Sequence, residues 1–166
     1  MTLYEVTSAA IDPALELLPA HMDSPRARVL LLAIGLQESN FRSRWQILKG
    51  GRKGPARGFW QFEQGGGVRG VMLHVASRTL ARKLCEVRSV QYEQATIWHA
   101  LERDDVLAAG FARLLLWTDP EPLPAIDNYL GAWRYYSRTW RPGRPHLSGW
   151  PANHLAALEF ITGETI

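Results

Sequence analysis

A chain of 166 residues, 46% apolar and 21% charged, is long enough to bury one sizeable core, and its length fits a single domain over 1–166. A net charge of +3 and a pI near 9.3 make the surface mildly basic, which suits an anionic polymer such as nucleic acid or bacterial cell wall without choosing between them. The single cysteine, Cys85, excludes an intrachain disulfide and suits folding in a reducing compartment. No basic segment followed by an apolar core opens the chain, so a secretion signal is not expected.

In chain order, the spacing of Ala9, Ile11, Ala14, Leu15, Leu17 and Leu18 predicts a helix over 8–18, stopped by Pro19. Asp23 or Ser24 is a good N-cap and Pro25 fits a first helical turn. The helix that follows runs to about Glu38 and is apolar on every side from Val29 to Leu36, so it is expected at the centre of the fold. It is far too short to cross a bilayer. Gly35 lowers its helicity by about 1 kcal/mol relative to Ala, and its expected use is close approach of another backbone.

From Phe41 to Gly70 glycines punctuate the chain, and a small hairpin is expected, with Trp45–Leu48 and Gly58–Phe62 as candidate strands. Helices are predicted near 70–76, 78–86 and 90–102. Asp104-Asp105 caps a second, almost entirely apolar helix, Val106 to Trp117. Pro120, Pro122 and Pro124 break the chain, and further helices are expected over Ile126–Trp140 and Ala152–Thr162.

Glu38 stands at the end of the first buried helix. The negative end of the helix, apolar surroundings and scarce water all favour its protonated form, as a general acid near neutral pH requires. The alternative is a solvated carboxylate at a frayed helix end, paired with Arg42.

Glu38-Ser39-Asn40-Phe41, followed by Gly54-Pro55-Ala56-Arg57-Gly58-Phe59-Trp60-Gln61-Phe62, resembles the Glu-Ser and Gly-Leu-Met-Gln signatures of lytic transglycosylases, members of the lysozyme-like superfamily that includes goose-type lysozymes. The resemblance covers about 25 contiguous residues, from Glu38 to Phe62. It implies that Glu38 is the catalytic acid and base, that Ser39 orients it, and that Gly58 and Gln61 line a sugar cleft. It also implies a Tyr near the Glu, for which Tyr135 and Tyr136 are both candidates. The family's Ala-Tyr-Asn-Ala-Gly stretch is absent; Leu115-Leu116-Trp117-Thr118-Asp119-Pro120 stands in its place.

Glycoside hydrolysis generally uses two carboxylates. Glu63, Asp119 and Asp127 are the candidates for a second, and Glu63 is the best placed, because on an extended strand it shares a face with Gln61. Its other reading is a salt bridge with an Arg. Of the seven Trp, most belong to the core, and Trp60 is the one expected to meet sugar. The histidines lack metal-ligand spacing, and no metal or other cofactor is expected. A Cys85–His99 peptidase pair fits no known signature. Arg42, Arg44, Lys49, Arg52, Lys53 and Arg57 form a basic rim beside Glu38, suited to the carboxylates of peptidoglycan.

The expectation is a mainly α (α+β, lysozyme-like) domain whose central helix carries Glu38 and whose glycine-rich insert forms one wall of a cleft. By resemblance it is a phage-type enzyme cutting the β-1,4 bond between N-acetylmuramic acid and N-acetylglucosamine. The outcome would be a 1,6-anhydro product, or hydrolysis if Glu63 takes part. A non-catalytic wall-binding virion protein is the rival. Peptidoglycan glycan strands are the expected partner, not nucleic acid; no membrane insertion is expected, and the chain is expected to be a monomer. It would be made in the cytoplasm and reach the wall by a phage lysis system or in a virion.

Overall fold

The computed structural model describes residues 1–143 and 145–164. The chain opens with α1 (Leu3–Val6), a π-helical turn (Thr7–Ile11) and α2 (Asp12–Glu16). This helical stretch starts earlier than expected because Thr2 and Glu5 form a reciprocal cap, each side chain accepting from the other's backbone N–H. Helix α3 (Pro25–Ser39) begins as predicted, with Ser24 Oγ accepting from Ala27 N at 3.2 Å and Pro25 in the first turn. Its residues Val29 to Gly35 are all buried.

The hairpin pairs β1 (Trp45–Ile47) with β2 (Lys53–Arg57) in antiparallel fashion, Trp45 opposite Arg57 and Ile47 opposite Lys53. The expected second strand, Gly58–Phe62, is a turn instead. Arg57 and Phe62 exchange backbone hydrogen bonds of 2.9 and 2.8 Å across it, and Gly58 and Gln61 both have positive φ. A π-helical turn (Gln64–Val68) leads into α4 (Arg69–Leu73), followed by α5 (Arg78–Val87), α6 (Gln94–Ala100), α7 (Asp105–Trp117), α8 (Tyr129–Trp140) and α9 (Trp150–Thr162). Side chains set three of these starts: Glu93 caps α6, Asp104 caps α7 and Asn128 caps α8, so α6 and α8 begin later than their apolar residues alone suggest.

Helix α9 lies along α3, while α7 packs against the first π-helical turn, α2 and α5 and also reaches α3. Leu30, Leu31, Leu32, Ala33 and Ile34 of α3 and Phe111, Ala112 and Leu114 of α7 belong to one hydrophobic cluster. The fold is mainly helical, and the described residues include one small two-stranded sheet. Gly35 serves a close approach, but to the Phe41 ring rather than a backbone: a Cβ there would collide with the ring. Asn40 and Phe41, both at φ 51°, reverse the chain as it leaves α3. Among the described residues no helix is long and apolar enough to cross a membrane.

Candidate active site

Glu38 is half-buried in the last turn of α3, a turn without any basic residue. Tyr136, on α8, points its hydroxyl at this carboxyl group and donates to Oε1 at 2.7 Å. The phenol ring is fixed by neighbours. It stacks on Trp150 with centroids 5.1 Å apart and planes 9° from parallel, and it meets Trp133 at 5.4 Å. Trp150 is itself tied down by donating from Nε1 to Tyr129 O at 2.8 Å.

Burial pushes the Glu38 carboxyl up to about 7, the negative charge of Glu63 adds to the shift, and the Tyr136 hydrogen bond opposes it. Burial also pushes the Tyr136 hydroxyl above its ordinary range, and the neighbouring Glu38 adds to this, so Tyr136 stays a donor. Burial therefore favours the protonated form of Glu38 well above the ordinary carboxylate range. One oxygen is engaged by Tyr136, and among the described residues no hydrogen bond holds the other. It is not the solvated partner of Arg42.

The turn after β2 is held rigidly. Gly58 N donates to Arg44 O at 2.8 Å. Gly58 has φ +72°, and a Cβ there would lie 2.8 Å from the Leu101 carbonyl oxygen, so both conformation and space call for glycine. Gly58 O accepts from Gln61 N at 3.0 Å and from the Gln61 side-chain amide at 2.9 Å. The Gln61 amide thus braces the turn and leaves its oxygen as the group that can face outward.

Trp60 does not meet solvent. It is 0% exposed, donates from Nε1 to Leu31 O of α3 at 2.8 Å, and its carbonyl accepts from Trp140 Nε1 at 3.0 Å. It cannot offer a ring face to a sugar. Its part is to fix the turn relative to the helix that carries Glu38. Tyr135 is likewise not at the site: it is buried, donates to Leu116 O at 2.8 Å, and its hydroxyl is pushed up to about 12 by burial. Adjacent residues on a helix point about 100° apart, and Tyr136 is the one turned toward Glu38. Ser39 Oγ bonds to backbone, donating to Gly35 O at 3.3 Å and accepting from Phe41 N at 3.1 Å, so it shapes the helix end that presents Glu38.

Glu63 is exposed, and its charge is felt at Glu38. The expected strand relation to Gln61 does not hold, because Gln61 is in the left-handed region at φ 51°. Glu63 borders an open pocket of about 440 Å³ whose walls include Lys53, Pro55, Gln64 and Trp98 but not Glu38. Asp119 is bound by Arg138 and by the backbone of Glu121. Asp127 is exposed, just ahead of the Asn128 cap of α8.

Half of the basic rim is neutralised. Arg44 makes a two-pronged bond with Asp105 at 2.7 and 2.8 Å, and Lys53 and Arg57 share Glu102 at 2.6 and 3.0 Å. Arg57 is buried with its guanidinium 4.1 Å over the Trp98 ring. Arg42, Lys49 and Arg52 are exposed. Cys85 is buried and its thiol is pushed up to about 12 by burial, which unfits it as a nucleophile. Among the described residues no group of His, Cys, Asp and Glu side chains is placed to hold a metal ion.

Sequence reasoning missed Gln37, whose amide donates to His146 O at 3.0 Å and accepts from Asn153 Nδ2 at 2.8 Å. It pins the segment before α9 to the end of α3, next to Glu38. Its only sequence signal was a polar residue after an apolar run. Comparison with protein-family models, curated proteins and solved structures gives no match.

Proposed function

We propose that the chain is a peptidoglycan-cleaving enzyme of lysozyme-like fold, acting on the β-1,4 bond between N-acetylmuramic acid and N-acetylglucosamine with Glu38 as general acid and then base. One observation carries this reading: a carboxyl group at the end of a buried helix, shifted to about 7 and hydrogen-bonded by a caged tyrosine. The order of Glu38-Ser39 and the Gly58–Gln61 turn along the chain supports it.

In the proposed reaction protonated Glu38 gives its proton to the glycosidic oxygen as the bond to the muramoyl C1 breaks. Tyr136 donates to Oε1 throughout, so the proton is carried on the other oxygen, and the same hydrogen bond stabilises the carboxylate left behind. Glu38 then takes the proton of the muramoyl C6 hydroxyl as that oxygen attacks C1, closing a 1,6-anhydro ring. One carboxyl group serves both steps, which makes the lytic transglycosylase outcome the preferred one. The electrostatic contact of Glu63 with Glu38 supports a second reading, hydrolysis with Glu63 assisting a water. The enzyme would be phage-type, monomeric and delivered to the wall from the cytoplasm by a lysis system or a virion.

Clearing of permeabilised Gram-negative cells tests the proposal. Wild-type protein should lower the turbidity and Glu38→Gln should not, with an unchanged circular-dichroism spectrum. Wall binding without clearing would favour the non-catalytic virion protein instead.

A further inference from the structure

The hairpin carries a surface that glycan cleavage leaves unused. From Phe41 to Arg57 there are Arg42, Arg44, Lys49, Arg52, Lys53 and Arg57 and no acidic residue. Arg44, Lys53 and Arg57 are held by acids elsewhere in the fold, which leaves Arg42, Lys49 and Arg52 facing solvent. Between these cations strand β1 exposes large apolar groups. The pairing with β2 is irregular between Trp45 and Ile47, and both turn outward, exposed on either side of the half-buried Gln46. They are 41% and 63% exposed, and Leu48 follows at 36%. Lys53, paired with Ile47 across the strands, places Nζ 5.0 Å over the Trp45 ring. The opposite face of β1 is the packed one: Gln46 is pressed against Gly54.

The combination selects among anionic partners. Carboxylates on a glycan polymer would pair with the cations but leave Ile47 and Leu48 in water. A bilayer surface satisfies both: an indole sits at headgroup depth, aliphatic side chains enter the acyl boundary, and Lys and Arg meet lipid phosphates. Gly50 and Gly51 form the tip without side chains that would hold it off. We propose that this face of the hairpin docks peripherally on an anionic phospholipid surface, with Trp45, Ile47 and Leu48 at the acyl boundary and Arg42, Lys49 and Arg52 on the headgroup phosphates. Among the described residues no helix is long and apolar enough to span the bilayer, and the docking does not depend on the chemistry of Glu38.

Co-sedimentation of the full chain with vesicles tests this. Wild-type protein should bind vesicles of phosphatidylglycerol and phosphatidylethanolamine, less so as salt rises, and should not bind phosphatidylcholine. Ile47→Asp should weaken partition by about tenfold or more, and Arg52→Glu by roughly fivefold or more. Both side chains are exposed, so circular dichroism should be unchanged for both variants. Ile47→Asp, which removes no cation from the basic rim, should also leave wall clearing unchanged, which separates failure here from failure of the glycan reading. Absence of anionic-vesicle binding, equal binding to neutral vesicles, or partition that Ile47→Asp leaves unchanged would each overturn the proposal. Retention on isolated wall without vesicle binding would overturn it too and assign the cations to peptidoglycan.

Discussion

Helices α3 and α7 are alike in sequence. Each is apolar on nearly every side, each opens on a side-chain cap, Ser24 or Asp104, and each delivers a carboxyl group where it ends. The two carboxyls meet opposite fates. Burial pushes Glu38 up to about 7, and among the described residues its one hydrogen-bond partner, the neutral Tyr136 hydroxyl, does not bring it back down to the ordinary carboxylate range. Burial alone would raise Asp119 as well, but the hydrogen bond from Arg138, the backbone N–H of Glu121 and the Arg138 charge outweigh it and hold that carboxyl below its ordinary range. A buried helix end thus creates the tendency to keep a proton, and the presence or absence of a cation decides whether it is kept. That difference separates a candidate acid from a structural anion.

The largest expected effect contrasts the two directly. Glu38→Gln should lower wall clearing by roughly 10² to 10⁴, the range for losing a general acid–base group, while Asp119→Asn should stay within about twofold of wild type. Comparable losses in both would erase the distinction. Next comes Tyr136→Phe. Removing the hydroxyl should cut activity about tenfold. It also removes the interaction that lowers Glu38, so the limb on which activity falls as pH rises through about 7 should move to higher pH. A pH–rate profile of the variant reads this, and an unmoved limb would mean that the titrating acid is another group.

Two stability effects of opposite sign sharpen the comparison. The folded-state value of Glu38 lies above its ordinary one, so the folded protein holds the extra proton and stability falls as pH rises from about 4.5 to about 7. Glu38→Gln, which cannot ionise, should be more stable than wild type at pH 8 by about 2 kcal/mol, with the gap closing near pH 4. Denaturant melts at both pH values measure it. Asp119 runs the other way. Its contribution is present above the ordinary carboxylate range and lost as pH falls through its lowered value. Asp119→Asn should cost about 1 kcal/mol at neutral pH and much less in strong acid.

Elements whose cause is local were legible in the sequence. The Ser24-Pro25 start and the unbroken apolar run specify α3, and the same kind of run specifies α7. The hairpin register was not legible, because β2 reads Lys53-Gly54-Pro55-Ala56-Arg57, with no apolar alternation to mark it. The neighbouring aromatic run looked like the better strand, but Gly58 and Gln61 turn it back on itself. Trp60 beside glycines suggested exposure; its partners, Leu31 O and Trp140, lie 29 and 80 residues away. The neutralised rim has the same origin, since Asp105 is 61 residues from Arg44 and Glu102 is 49 from Lys53. Tyr135 and Tyr136 are chemically equal in sequence, and only the rotation of α8 against α9 and α3 separates them.

Mass spectrometry of the muropeptides released from purified peptidoglycan by wild-type protein and by Glu38→Gln, side by side, tests the role of Glu38 most directly. The predicted result is 1,6-anhydromuramoyl products, each lighter by one water than the hydrolysed form, from wild type and none from the variant. Equal release by both proteins, or no release by either, would contradict it.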